Sequence, residues 1–438
     1  MPIPQRPPVP SVADPLNRQR SVRAHQSPWH PSLLLAAPHR LAFFAAALVL
    51  AASALWWAVM LVGRALEWAP VWTVAPPAAH ALLMTLGFTP LFFVGFLYTA
   101  GPRWLGLPEV AAHVLAAPVA LMLSGWVLAV AGFHTQRFLG AIGLSLVALG
   151  WSALTLRFVG MLRRSAAPER VHATLVAISC CVGALCLWGA AAALALGNEL
   201  WLRGITRVAL WCFVAPVFAT VSHRMLPFFS ASALPLLDAW RPFWLLGLLL
   251  GLLWLKAGPA LAELWFWPLP NWVRWAQVVV ELPSSLLLLW LAVRWGLIQS
   301  MKIRLLAMLH AGFVWLGIAF ALDALSHALM ALSGGELSLG LAPTHALTMG
   351  YLGGTLLAMA TRVSAGHSGR ALAADNPVWF LYWLLHGAVL LRVAAALWPV
   401  QSPTLTLLAV LAWSTVCVGW ALRYGNWFGR ARVDGKPG

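Results

Sequence analysis

Residues 343–370 read PTHALTMGYLGGTLLAMATRVSAGHSGR. A histidine stands near each end of one apolar segment of helix length, at His345 and His367, and Thr361 and Arg362 lie near its lower end. A helix that only crosses a bilayer needs none of these side chains, because polar groups inside lipid are costly and are by default functional. The opening is echoed earlier in the chain. His-Ala-Leu-x-Met occurs at 80–84 and again at 345–349, and an Ala-Gly pair follows each at the same offset (Ala100-Gly101, Ala365-Gly366). The echo fits an internal repeat, and it fits equally the chance recurrence of apolar low-complexity sequence.

The composition around this segment is that of a membrane protein. Of 438 residues, 61% are hydrophobic and only 9% charged, and the mean hydropathy is +0.82. A soluble domain carries about a quarter charged residues, so the expected class is an all-α, polytopic transmembrane helix bundle. Five cysteines (Cys180, Cys181, Cys186, Cys212, Cys417) fall in apolar segments without a CxxC pair, and read as small buried hydrophobes. Residues 1–40, rich in Pro, Arg and Ser, have no apolar core of signal-peptide length and read as a disordered basic cytoplasmic tail.

Apolar runs of about 20 residues suffice to cross the hydrocarbon core. Twelve are expected, at 41–62, 78–101, 110–133, 138–160, 171–194, 206–222, 242–257, 272–293, 305–330, 345–365, 378–398 and 405–424, with a short cytoplasmic tail at 425–438. Between the seventh and eighth, Pro259, Pro268 and Pro270 with Trp265, Trp267 and Trp272 read as an interfacial stretch. With the N-terminus inside, the outer side receives only Arg64, Arg137, Arg203, Arg207, Lys256 and Arg274, Arg392 stays within a helix, and the other basic residues face the cytoplasm. This is the positive-inside pattern. The net charge of +16 is therefore a topological signal, not a nucleic-acid footprint, and both termini are expected in the cytoplasm. Tryptophans near segment ends suit the interfacial belts.

Polar residues within the spans carry the functional reading. A rise of 1.5 Å per residue puts His80, His327 and His345 near one depth at the outer side, where three imidazoles could ligate a metal. Imidazole suits haem iron and copper alike. Each could equally cap a helix or meet headgroup water. Asp323, one turn before His327, could receive that ring's second N–H as an outer-shell partner, or form a plain buried ion pair. His310 lies in the inner half of the ninth span and His386 near the middle of the eleventh. Glu281 and Arg392, both near mid-depth, are expected to pair with each other or with a bound anionic group. No Walker loop, GxSxG elbow, CxxCH or HExxH is present, which argues against hydrolysis, phosphoryl transfer and covalently attached haem.

Residues 345–370, HALTMGYLGGTLLAMATRVSAGHSGR, closely resemble the most recognisable segment of the NnrS family, bacterial haem- and copper-containing inner-membrane proteins associated with nitric oxide stress and denitrification. HALLMTLGFTPLFFVGFLYTAGPRWLG (80–106), SHRMLPFFS (222–230) and LHAGFVWLGIAF (309–320) are similar to further family segments in the same order. The resemblance implies that His80, His310, His345, Arg362 and His367 occupy cofactor-binding positions. It implies haem and copper as cofactors, nitric oxide or a related small molecule as partner, and the inner membrane as location. One departure weakens it: where the family reads His-Ala-His-Glu-Met, this chain has Leu82 and Leu83 in place of the second histidine and the glutamate. Either His327 or His134 substitutes, or a metal has been lost. The expected site is a haem on His80 and His345, with His310 and His327 as further ligand candidates, and no catalytic reaction is assigned. The alternative is a secondary transporter with a path lined by Glu281, Asp323, Arg392 and the histidines. A haem–copper oxidase would have the same helix number, but its paired-histidine motifs are not evident.

Overall fold

In the computed structural model, residues 28–435 are described except 69 and 235. Among them the secondary structure is wholly helical. Eleven helices are long and apolar enough to cross a membrane: α1 (Pro38–Ala65), α2 (Pro76–Trp104), α3 (His113–His134), α4 (Arg137–Arg164), α5 (Val171–Ala195), α6 (Glu199–Ala233), α7 (Phe243–Trp265), α8 (Asn271–Arg294), α9 (Arg304–Leu332), α11 (Asn376–Leu397) and α12 (Ser402–Phe428). The remaining expected span, α10 (342–367), is helical throughout but less apolar. Burial explains the difference. Every residue of α10 from 350 to 361 is buried by neighbouring helices, so this helix has little lipid to match and can carry polar residues.

The chain ends confirm an even number of crossings. The His30 amide donates to the Gly429 carbonyl at 2.8 Å, Trp29 Nε1 to Gly425 O at 3.2 Å, and the buried Arg40 Nη1 to Arg430 O at 2.8 Å. Both ends of the helical region therefore meet on one face, as twelve crossings require. The expected disordered tail, 1–40, lies in part outside the described residues. Its final stretch is folded, with a 3-10 turn at Pro31–Ala36 ahead of α1, and α12 likewise runs past the expected end at 424.

Four helices form the interior. In the most apolar window of α2, 78% of residues are buried, and in α6 and α9 72%, against 33% in α11 and α12. Together with α10, these hold the four stretches that resemble the NnrS segments. α9 and α10 touch backbone to backbone: a Cβ on Gly312 would sit 2.8 Å from the Thr355 amide nitrogen. Close approach through small residues is how helices associate where lipid offers no hydrophobic drive.

Three interior helices depart from regular α geometry. α2 breaks at Gly87, while α6 and α10 contain π-helical turns at Ala209–Val214 and Ala346–Gly353. Such turns occur frequently at functional sites.

The seventh span differs from expectation. Its helix runs through Pro259 to Trp265 instead of ending near 257. A proline is tolerated within a membrane helix because neighbouring helices and side chains re-satisfy the freed backbone groups. The extension leaves Lys256, expected on the outer side at the very end of its span, in the interior, where it is 8% exposed.

Candidate functional site

At the outer end, two prolines (Pro76, Pro77) start α2 with the fixed φ a first helical turn requires. The preceding residues are tethered by Thr73 N–H to Phe133 O at 2.8 Å and Ala75 N–H to Glu199 Oε1 at 2.7 Å. His80 is thereby held with its ring stacked on Trp57, centroids 4.2 Å apart, and its buried Nδ1 has no hydrogen-bond partner. His345 opens α10 just before the π-helical turn. Its Nδ1 lies 2.9 Å from the Leu341 carbonyl oxygen. A carbonyl only accepts, so Nδ1 carries the proton and the neutral ring keeps its lone pair on Nε2. His80 and His345 lie within electrostatic reach of each other, and Arg392 lies within reach of both.

His327 belongs to a different group. Its Nδ1 donates to Glu281 Oε2 at 2.8 Å, and its Nε2 lies 3.3 Å from Gln277 Nε2. Asp323 bonds Lys256 Nζ at 2.9 Å, and the same ammonium hydrogen-bonds Glu281. Glu281 thus takes the role beside His327 that the spacing offered to Asp323, and its partners are Lys256 and His327, not Arg392. Lys256 also faces the Trp211 ring at 5.8 Å. About two turns outward, Arg274 lies 3.8 Å from Glu263.

The other histidines are dispersed. His310 Nε2 meets Ser230 Oγ at 2.8 Å, with its buried Nδ1 unpartnered. His367, at the inner end of α10, lies against His39 with centroids 4.6 Å apart. His134 has both nitrogens engaged, by Trp56 at 2.9 Å and Val71 O at 2.9 Å. His386 Nδ1 accepts from Trp315 Nε1 at 2.8 Å. Arg362 lies over the Phe229 ring at 4.1 Å.

A further cluster escaped the sequence reading. At the inner ends of α5 and α6, His172 Nε2 and His223 Nδ1 lie 3.0 Å apart, His223 Nε2 donates to Pro242 O at 3.1 Å, and Glu169 bonds Arg224. Burial pushes the Glu169 carboxyl up, but the Arg224 hydrogen bond and His172 outweigh it and hold the group below its usual value. These residues were legible only as isolated polar groups at helix ends.

The outer pair suits haem in one respect that is local and physical. His345 is oriented by a carbonyl, the usual arrangement that fixes the tautomer of a ligating histidine, and His80 has a nitrogen that no protein group satisfies. Arg392 is the cation whose charge both rings feel. A third donor is absent at the family's second-helix positions, because Leu82 and Leu83 are 0% and 2% exposed and pack in the apolar core. Among the described residues no group of three His, Cys, Asp or Glu side chains is arranged to hold a metal ion.

Fold and site define a multi-pass helical membrane protein with polar groups concentrated in and around its interior helices. The model of the NnrS protein family matches residues 33–432, and the chain belongs to that family. No curated protein is significantly similar to it.

Proposed function

We propose that this NnrS-family protein resides in the bacterial inner membrane and acts in the response to nitric oxide associated with denitrification, with a haem carried at its outer side by His80 and His345. The observation that carries the reading is His345 itself: a ring on the central helix whose Nδ1 is held by Leu341 O, and which feels the charge of Arg392 as His80 also does. When bound, haem supplies a redox-active iron at which a small diatomic ligand can be held. The chain's own residues position and shield. Leu341 fixes the His345 tautomer, Trp57 covers one face of His80, and Arg392 holds anionic charge. Copper has weaker support, because Leu82 and Leu83 withhold the donors the family places there.

The test is genetic. A strain lacking the gene should grow poorly under a nitric-oxide-releasing compound, and the wild-type gene should restore growth while His345→Ala should not. Restoration by His345→Ala would remove the site from the function.

Secondary transport is a second reading, favoured by the Lys256–Glu281–Asp323–His327 network inside the span. Intramembrane ionisable chains of this kind mark ion and proton paths. Substrate uptake in vesicles by protein that binds no haem would favour it.

A further inference from the structure

The inner half of the bundle contains an apolar cleft between α2, α6, α9 and α10. It encloses a cavity of about 90 Å³, and its lining includes Phe93, Phe96, Phe218, Met225, Phe229 and Met359. Its hydroxyl groups are Ser222 and Thr355. Ser222 Oγ is engaged by the Tyr351 hydroxyl at 3.1 Å, and Thr355 Oγ1 donates to the Tyr351 carbonyl. The cavity therefore offers water few of the two to four polar partners it needs, and cavities of that kind stay dry or take apolar matter. It is far too small for a haem, and no histidine lines it.

At the inner edge of this cleft stands Arg362. Its guanidinium faces the ring of Phe229, a lining residue, at 4.1 Å, and Val363 beside it is also in the lining. Five residues separate it from the end of α10, about 8 Å along the helix axis. Among the described residues no carboxylate pairs with Arg362, and the influence acting on its charge is desolvation. A half-buried cation in a membrane helix without a counter-charge is costly. The residue before it, Thr361, accepts from Trp420 Nε1 at 3.0 Å, so the turn bearing Arg362 is fixed.

We infer that this cleft binds a fatty acid, the few methylenes next to the head that its volume admits entering between Phe93, Phe218 and Met359 and the carboxylate meeting the Arg362 guanidinium. A planar guanidinium is well matched to a carboxylate or a phosphate, which it can engage through two parallel hydrogen bonds. The two methionines give the wall adaptable packing for a flexible chain. An acidic phospholipid carries a comparable head but two chains, for which the cavity has no room. The inner end of α10 is also where the charge pattern expects the cytoplasmic leaflet, the side on which anionic lipids concentrate.

The test uses the full-length protein in nanodiscs of zwitterionic lipid with a photoactivatable fatty acid, followed by peptide mapping. Labelling is expected on Met225 or Met359, with competition by a free fatty acid and none by the matching fatty alcohol. Phosphatidic acid competing better than the fatty acid would overturn the assignment. Arg362→Gln should weaken binding about tenfold or more, the loss expected for a charged hydrogen bond, while Arg362→Lys should retain part of it. Val221→Phe, which leaves the charge in place and fills the cleft, should abolish labelling while the thermal melting profile confirms folding. Equal competition by the alcohol, or undiminished labelling in Arg362→Gln, would overturn the assignment, as would competition by a neutral quinone analogue as effective as the acid.

Discussion

The ammonium nitrogen of Lys256 on α7 lies 2.9 Å from Asp323 Oδ2 on α9, and it also bonds Glu281 on α8, so one cation joins three helices within the membrane span. Glu281 passes the network on to His327 at 2.8 Å. Buried pairs of this kind contribute little over apolar packing while intact, but removing one partner strands a charge.

Lys256→Met should therefore lower stability by about 3–5 kcal/mol, because it leaves two carboxylates facing each other without a cation. Lys256→Met combined with Glu281→Gln and Asp323→Asn should recover most of that loss. Thermal unfolding in detergent reads both, and equal stability of Lys256→Met and wild type would contradict the network.

A pH dependence is expected at the inner face. Glu169 is held below its ordinary value of 4.5 through Arg224 and His172, against the opposing effect of burial. A depressed carboxyl stabilises the folded state above its ordinary pKa, and that contribution is lost as pH falls through the lower, folded value. Proteolysis of the loop at 165–170 should rise on acidification below about 4.5, and Glu169→Gln should make cleavage high at all pH values. A wild-type loop equally resistant at acid and neutral pH would exclude a stabilising role for the Glu169–Arg224 pair.

Topology follows from the meeting of the chain ends and from the charge pattern. Fusion reporters at the C-terminus and in 161–170 should report the cytoplasm, and a reporter in 334–339 the outer side. A cytoplasmic signal from 334–339 would be incompatible with twelve crossings.

Much of this architecture is legible in the amino-acid sequence, and the exceptions have physical causes. Span number and end placement come from hydropathy and arginine distribution, which a bilayer imposes strongly. α10 stood out because His345, Thr361 and Arg362 are unusual in an apolar run, and the structure shows that run enclosed by other helices. The sequence puts Lys256 at the outer end of its span because Pro259 reads as a terminator, whereas α7 continues through it to Trp265. Glu281, set by the sequence beside Arg392, and Asp323, set beside His327, both take Lys256 in the structure. The His172–His223 contact joins residues 51 apart, each unremarkable alone, so only the packing of α5 against α6 reveals it.

The outer site bears the central claim, and its most direct test is haem per protein with the reduced-minus-oxidised spectrum of purified wild type, His345→Ala and His113→Ala at equal expression. His113 begins α3 at the opposite end of the bundle and serves as the control. An iron that loses an imidazole ligand changes its spectrum and is held less firmly. The account predicts a haem spectrum in wild type and His113→Ala, and lost or shifted bands in His345→Ala. Wild type without haem, or His345→Ala with the same haem content and the same bands as wild type, would contradict it.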